Sequence, residues 1–289
     1  MKTTVKILSK DIISMDLEQF NFDILNITYM SEDKVKRSKR TLLYNYKMLV
    51  MLNGSASIFM GKSRYFINQS DCVLLCPGSL YYAELTGEEK GEFISMSFAL
   101  ETPLQEKSFA QLFGIKDLII SKNLIPEFTN QFILSTFDGA IKENAGYYYN
   151  TLLLLRRLLS LMLYGGLSSR VETHSQLKNT TNEEQLILKC HRYIINHKNL
   201  PVSVVDLCRE CNVSQSYLYK CFRSSLSTST KDFITETKLN LTQRELTQTD
   251  KSITEIALSN GFSTSYHYSG VFKKVRGISP SMYRKEHRG

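Results

Sequence analysis

Along residues 44–100 short apolar runs alternate with turn-forming clusters: YNYKMLVML, NGS, ASIFM, GKS, RYFI, NQSD, CVLLC, PGS, LYYAEL, TGEEKG and EFISMSFAL. Runs punctuated in this way read as strands, and Asn53-Gly54 is a hairpin signal because both residue types tolerate positive φ. Strands at such close spacing predict a barrel or jelly roll. From about residue 109 the period changes. Segments 125–144 and 147–163 carry apolar residues three and four apart without alternation, which predicts two helices packed on each other or on a second subunit. The polar, aromatic-free stretch SSRVETHSQLKNTTNEEQ then reads as a linker. The expected class is α+β with two domains: residues 1–167 as a β-barrel with trailing helices, 168–184 as the linker, and 185–289 as an all-α domain.

The C-terminal domain repeats itself. Ser203, Asp206, Leu207 and Cys208 match Ser252, Glu255, Ile256 and Ala257 at an offset of 49 residues. Beyond the next turn the offset is 50, and Ser214, Leu218, Phe222, Ser229 and Phe233 match Thr264, Tyr268, Phe272, Ser279 and Tyr283. One unit is used twice, with one residue added in the second turn. In the second copy Ser252 and Glu255 form a capping box that starts a helix at Ile253, and Gly261 ends it, since glycine takes positive φ without a Cβ penalty. Thr264 caps the next helix, and Tyr268 and Phe272, four apart, share its buried face. Ser265, Tyr266, Ser269, Gly270, Lys273 and Lys274 are left outside. This predicts two helix-turn-helix units with exposed polar second helices; an αα-hairpin with a merely solvated face is the plainer alternative.

Charge favours the first reading. Residues 182–289 hold sixteen Lys and Arg against ten Asp and Glu, whereas residues 1–181 hold twenty against eighteen, so most of the formal +8 sits in the repeated domain. A concentrated basic excess suits phosphates, while small polar residues can face base edges. No apolar stretch suits a membrane span: the greasiest, TLLLLRRLLSLMLY, is broken by Arg156 and Arg157. The N-terminus has no continuous apolar core of a leader, so a cytoplasmic protein is expected. Six scattered cysteines then imply reduced thiols. Cys208 and Cys211 form a C-x-x-C inside a helical pattern, without a second pair at zinc-finger spacing, and read as core residues.

The run SITEIA followed by GF-x5-YS-x-V-FKK-x2-GI-SP-x2-YR resembles the signature of AraC/XylS-type transcription regulators, over about residues 185–286. The resemblance implies two helix-turn-helix units joined by a linker helix and reading successive major-groove segments of double-stranded DNA. It also implies contact with RNA polymerase and a role as activator. Residues 231–249 suit the connector, since about 18 residues at 1.5 Å give roughly 27 Å against about 34 Å for one DNA turn. The DNA-contacting set expected is Gln215, Ser216, Tyr219, Lys220 and Arg223 in the first unit and Ser265, Tyr266, Ser269, Lys273 and Lys274 in the second. The chain departs from the family pattern at Ser227, where Gly often closes the first unit, and at Thr242, where Ala is usual. The frequent Ser-Tyr-Phe-Ser-Arg run appears here as Tyr266-His267-Tyr268-Ser269-Gly270. The arginine suited to guanine is absent, so the first unit is expected to carry more of the sequence reading.

The N-terminal half resembles the cupin-like jelly-roll effector domain that many such regulators carry. It would bind a small-molecule effector, with Tyr44, Tyr46, Tyr81, Tyr82 and Phe98 as candidate lining residues, although the same aromatics also suit an ordinary core. Control by a protein partner is the alternative. A metal-dependent cupin enzyme is the rival from another class; imidazole ligands are what such a metal site needs, and the first histidine is His174, beyond the strands. No cofactor is expected. Leucines in 147–163, Leu155 and Leu159 among them, point to a homodimer interface. The basic run 34–40 reads as a solvated loop with a weaker claim to touch DNA.

Overall fold

The computed structural model describes residues 17, 19–32, 37–86, 90–115, 117–125, 127–142, 144–164, 171–174 and 180–287. Contacts divide the chain into two compact units, Met1–Ser38 with Asn45–Asn179, and Lys39–Tyr44 with Thr180–Gly289. The six residues Lys39–Tyr44, which include the short strand β2 (Thr41–Leu42), thus cluster with the second unit although they precede most of the first in sequence.

The first unit is antiparallel. One sheet holds β1 (Phe22–Glu32), β8 (Gly91–Leu100), β3 (Tyr46–Asn53), β6 (Cys72–Leu75), β9 (Leu118–Ser121) and β10 (Val171–His174) side by side in that order. A second carries β7 (Leu80–Thr86), β4 (Ser55–Met60) and β5 (Ser63–Asn68) as neighbours. β3 pairs with β6 and β8, whereas β4 pairs with β5 and β7. Asn53-Gly54 is therefore a corner that carries the chain from one sheet to the other and not the hairpin its sequence suggests. Gly54 has φ +75°, and a Cβ there would lie 2.9 Å from the Lys90 carbonyl oxygen. The tight hairpin is β4–β5, closed by Met60 opposite Ser63.

Helix α1 (Pro103–Phe113) starts at Thr102, whose hydroxyl accepts from the Gln105 amide, with Pro103 at a first-turn position that has no amide to satisfy. It sends Phe109 into an aromatic cluster with Phe20, Phe22, Tyr46 and Phe98. Helices α2 (Glu127–Ile141) and α3 (Tyr147–Tyr164) follow. Leu154, Leu155, Leu158 and Leu159 of α3 are fully buried in one core with Met48, Val50, Leu74 and Met96 of the large sheet. Leu155 and Leu159, expected at a subunit interface, instead cover their own sheet; among the described residues the exposed large apolar side chains of α3 are Tyr147, Tyr148, Tyr149 and Leu153. The stretch 168–184 is not all linker. Val171–His174 pairs along β9, and α4 begins at Asn182.

The second unit contains α4 (Asn182–Asn196), α5 (Val204–Cys211), α6 (Gln215–Leu226), α7 (Thr230–Gln248), α8 (Ile253–Ser259), α9 (Ser265–Arg276) and α10 (Pro280–His287). α7, about 28 Å long at 1.5 Å per residue, stands between the pairs α5–α6 and α8–α9 in sequence and contacts both. Equivalent side chains form the two cores: Leu207, Leu218 and Phe222 are fully buried in the first, as are Ile256, Tyr268 and Phe272 in the second. Cys211 turns to Cys190, with the two sulfurs 3.5 Å apart, and all six cysteines are free thiols.

Candidate nucleic-acid interface

Each helix pair begins with a reciprocal cap. Ser203 accepts from the Asp206 amide while Asp206 accepts from the Ser203 amide, and Ser252 and Glu255 do the same. Hydrogen bonds from Ser203 hold the Asp206 carboxyl below its ordinary range, and those from Ser252 act likewise on Glu255. The turns then place a residue at positive φ, Asn212 at 54° and Gly261 at 70°. The second helices start at Ser214 and Thr264, whose hydroxyls accept from Tyr217 and His267 amides. Local rules alone thus aim α6 and α9.

With one face of α6 in the core, Gln215, Ser216, Tyr219, Lys220 and Arg223 are all exposed on the other. Gln215 donates to the Tyr219 hydroxyl at 2.8 Å, one turn apart, so two of the candidate readers hold each other in place. Tyr217 is 44% exposed beside them; its aromatic character concealed it in the sequence, where buried and exposed tyrosines look alike. On α9, Ser265 and Ser269 are half-buried, Lys273 and Lys274 are exposed, and Tyr266, at 89%, is the most exposed large hydrophobic side chain among the described residues. Gly270 is exposed, and a Cβ on it would meet nothing within 4 Å.

The C-terminal cations divide in two. Arg276 makes a two-pronged contact with Glu236 of α7 at 2.7 and 3.1 Å, and Arg284 donates to the carbonyls of Leu246 and Lys251. These arginines fasten α9 and α10 to their neighbours. Lys220, Arg223, Lys273 and Lys274 make no ion pair among the described residues and remain available to an anionic partner.

The five aromatics considered for an effector do not converge. Tyr46 stacks on Phe98 with ring centroids 5.3 Å apart, deep in the first core. Tyr81 is buried, and burial pushes its phenol up to about 12. Tyr82 stacks on Phe59 at 4.6 Å and carries the Arg37 guanidinium on its ring. Tyr44 belongs to the second unit, its hydroxyl 3.1 Å from Thr237 Oγ1 and its ring edge-on to His191 at 5.6 Å. None of the five lines an apolar cavity of about 90 Å³ in the first unit, whose walls include Met30, Leu49, Met51, Ile67 and Phe93, with Glu32, Arg37 and Ser38 also on its lining. Of the basic run 34–40, Lys34, Val35 and Lys36 lie outside the described residues, while Arg40 sits 3.5 Å from Glu184.

Residues 207–286 match the family model described as a helix-turn-helix domain. The chain is 27% identical over 279 residues to the Msm operon regulatory protein of Streptococcus mutans serotype c, covering 92% of this chain and 94% of that protein. It is 29% identical over 159 residues to the raffinose operon transcriptional regulatory protein RafR of Pediococcus pentosaceus, covering 51% of this chain and 56% of that one. Among solved structures it is similar to ToxT from Vibrio cholerae, at 18% identity and a TM-score of 0.44, covering 94% of this chain and 99% of that chain. Two capped helix pairs with exposed polar second helices, joined to the family-model match over residues 207–286, define a DNA-binding helix-turn-helix domain. More specifically, the matched domain is of the AraC type, and both relatives are named as operon regulatory proteins.

Proposed function

We propose that the chain recognises promoter DNA with α6 and α9 in successive major grooves, that α6 carries most of the base reading, and that α9 contributes mainly phosphate contacts. The observation behind this division is the side chains each helix offers. α6 presents an amide, hydroxyls, Lys220 and Arg223, whereas α9 presents a bare Gly270 where an arginine would reach a base, followed by Lys273 and Lys274. Gln215, Ser216, Tyr219, Lys220 and Arg223, with Ser265, Tyr266, Ser269, Lys273 and Lys274, form the proposed contact set. The protein acts in the cytoplasm as an activator that engages RNA polymerase, and the naming of RafR for a raffinose operon makes carbohydrate-utilisation genes the first targets to test.

The first unit, a cupin-like jelly roll in this reading, is the effector domain. Its cavity is walled mainly by aliphatic, methionine and phenylalanine side chains, with Glu32, Arg37 and Ser38 also on the lining. A free sugar would leave most of its hydroxyls without partners there, each at a cost of about 1–3 kcal/mol. A small, largely apolar molecule is the effector this site suits, and the five aromatics Tyr44, Tyr46, Tyr81, Tyr82 and Phe98 are replaced by the cavity walls as its lining. Self-association uses the exposed Tyr149 and Leu153 of α3. Fluorescence titration of a random-sequence duplex with the full chain, across salt concentrations, tests the DNA assignment: a steep fall of affinity with salt is expected, and salt-independent or absent binding would refute it.

A further inference from the structure

A second cavity, of about 450 Å³, lies wholly within the second unit. Its walls come from the start of α5 (Pro201, Ser203), from α7 (Lys231, Thr235, Lys238) and from the α8–α9 turn with the first turn of α9 (Gly261, Ser263, His267). The three basic side chains Lys231, Lys238 and His267 line it and no carboxylate does. The acids on the same elements are turned to other partners: Asp206 to Ser203 and Arg209, Asp232 to Ser229, and Glu236 to Arg276.

Lys238 is nearly buried, at 5% exposure, and its ammonium donates to the Leu200 carbonyl at 2.6 Å and the Gly261 carbonyl at 3.3 Å. An ammonium has three donors; beyond the two carbonyls Nζ lies 5.9 Å over the Phe262 ring and has no further hydrogen-bond partner among the described residues. Burial pulls this lysine down to about 8, so its positive charge is held against desolvation and would be relieved by an anion. The capped starts of α5 and α9 border the same cavity, which adds the positive ends of two helix dipoles. The site is particular to the second turn. Gly261 stands where the first turn has Asn212, and Ser263 is the residue by which the second repeat exceeds the first; both line the cavity.

We infer that this cavity seats a phosphoryl group, and that its natural source is a DNA backbone phosphate between the segments read by α6 and α9. The inference rests on the DNA-binding reading proposed above. The N-terminal end of α9 is the end that enters a groove in such motifs, and Ser263 and His267 flank it, so a strand leaving that groove passes the exposed Lys231 at the rim.

The test uses the full chain, a random-sequence 30-base-pair duplex, and three proteins: wild type, Lys231→Gln and the distant control Lys142→Gln. Losing one phosphate contact should make the slope of log affinity against log salt shallower by about 0.9 and weaken binding roughly eightfold at 0.1 M salt. The control should match wild type. An unchanged slope in Lys231→Gln, with wild-type DNA binding intact, would overturn the phosphate site and leave the DNA-binding function standing. Failure of wild type to bind the duplex would overturn both. Titration of inorganic phosphate without DNA, followed by NMR of the His267 ring, separates the sources: saturation at millimolar phosphate together with an unchanged slope would assign the site to a free phosphate and refute the DNA assignment.

Discussion

In the first helix pair the chain turns at Asn212, with φ 54°, and in the second at the equivalent Gly261, with φ 70°. Matching hydrogen bonds follow, from the Val213 amide to Cys208 and from the Phe262 amide to Ala257. The surroundings differ. Around Gly261 a Cβ would fall 2.2 Å from the Leu200 carbonyl oxygen and 2.5 Å from Lys238 Nζ. The same dihedral is thus met by asparagine where only the backbone conformation matters and demands glycine where another segment closes in. The two pairs share caps and core, yet the second is wedged against the α4–α5 loop through Lys238.

That contrast predicts the largest effect. Gly261→Ala combines a left-handed conformation, about 1–2 kcal/mol for an L-residue, with two contacts that cannot persist; a loss of at least about 3 kcal/mol is expected in denaturant unfolding. Asn212→Ala meets only the conformational part and should lose about 1 kcal/mol. Equal losses at the two positions would break the comparison.

Acid should separate the pairs next. His191 of α4 is buried beside Tyr44 and Phe233, and burial lowers it to about 4 from an ordinary 6.5. It is neutral when folded and becomes charged when unfolded below pH 6.5, so stability present above that value drains away as pH falls from 6.5 to 4, by about 3 kcal/mol in all. The first pair should therefore melt in acid before the second, seen as earlier amide exchange in α5 and α6. His191→Phe should flatten this dependence; an unaltered pH profile would show that the ring is not buried neutral.

A smaller effect concerns how each second helix ends. α6 stops at Ser227, a non-glycine residue at φ 56°, whereas α9 stops at Gly277 at 82°. Ser227→Gly should raise stability by up to about 1 kcal/mol by thermal melting, and a loss would mean that the serine hydroxyl matters more than its backbone. The smallest effect expected is on binding. Gly270→Arg has open space and gains helix propensity, so affinity for DNA should hold or rise; a tenfold loss at fixed salt, about 1.4 kcal/mol, with an unchanged melting temperature would show that the backbone itself approaches the duplex.

What was legible in the sequence follows the reach of the interactions. Capping boxes, the Gly261 turn and the Tyr268–Phe272 face depend on residues a few positions apart, and the repeat displayed them twice. Partners distant in sequence were not legible. Nothing local marks Asn53-Gly54 as a passage between sheets, because the strands that β3 and β4 choose lie up to about fifty residues away. The leucines of α3 look surplus until the six-stranded sheet beneath them is known, and the fit of Lys39–Tyr44 to the second unit rests on Glu184, His191 and Thr237, far along the chain. The candidate reader residues were visible as the exposed remainder of an amphipathic pattern. Lys238 was not, since a lysine that serves two carbonyls reads like any surface lysine.

The division of labour between α6 and α9 is tested most directly by selecting bound duplexes from a random library at fixed salt with the full chain and sequencing them. One strongly preferred segment is expected, with a second about 10–10.5 base pairs away that shows weak base preference. In Lys273→Gln with Lys274→Gln the second segment should contribute less affinity and the first should keep its sequence. Two segments of equal information, or a sole preference that survives Gln215→Ala with Arg223→Ala, would contradict the account.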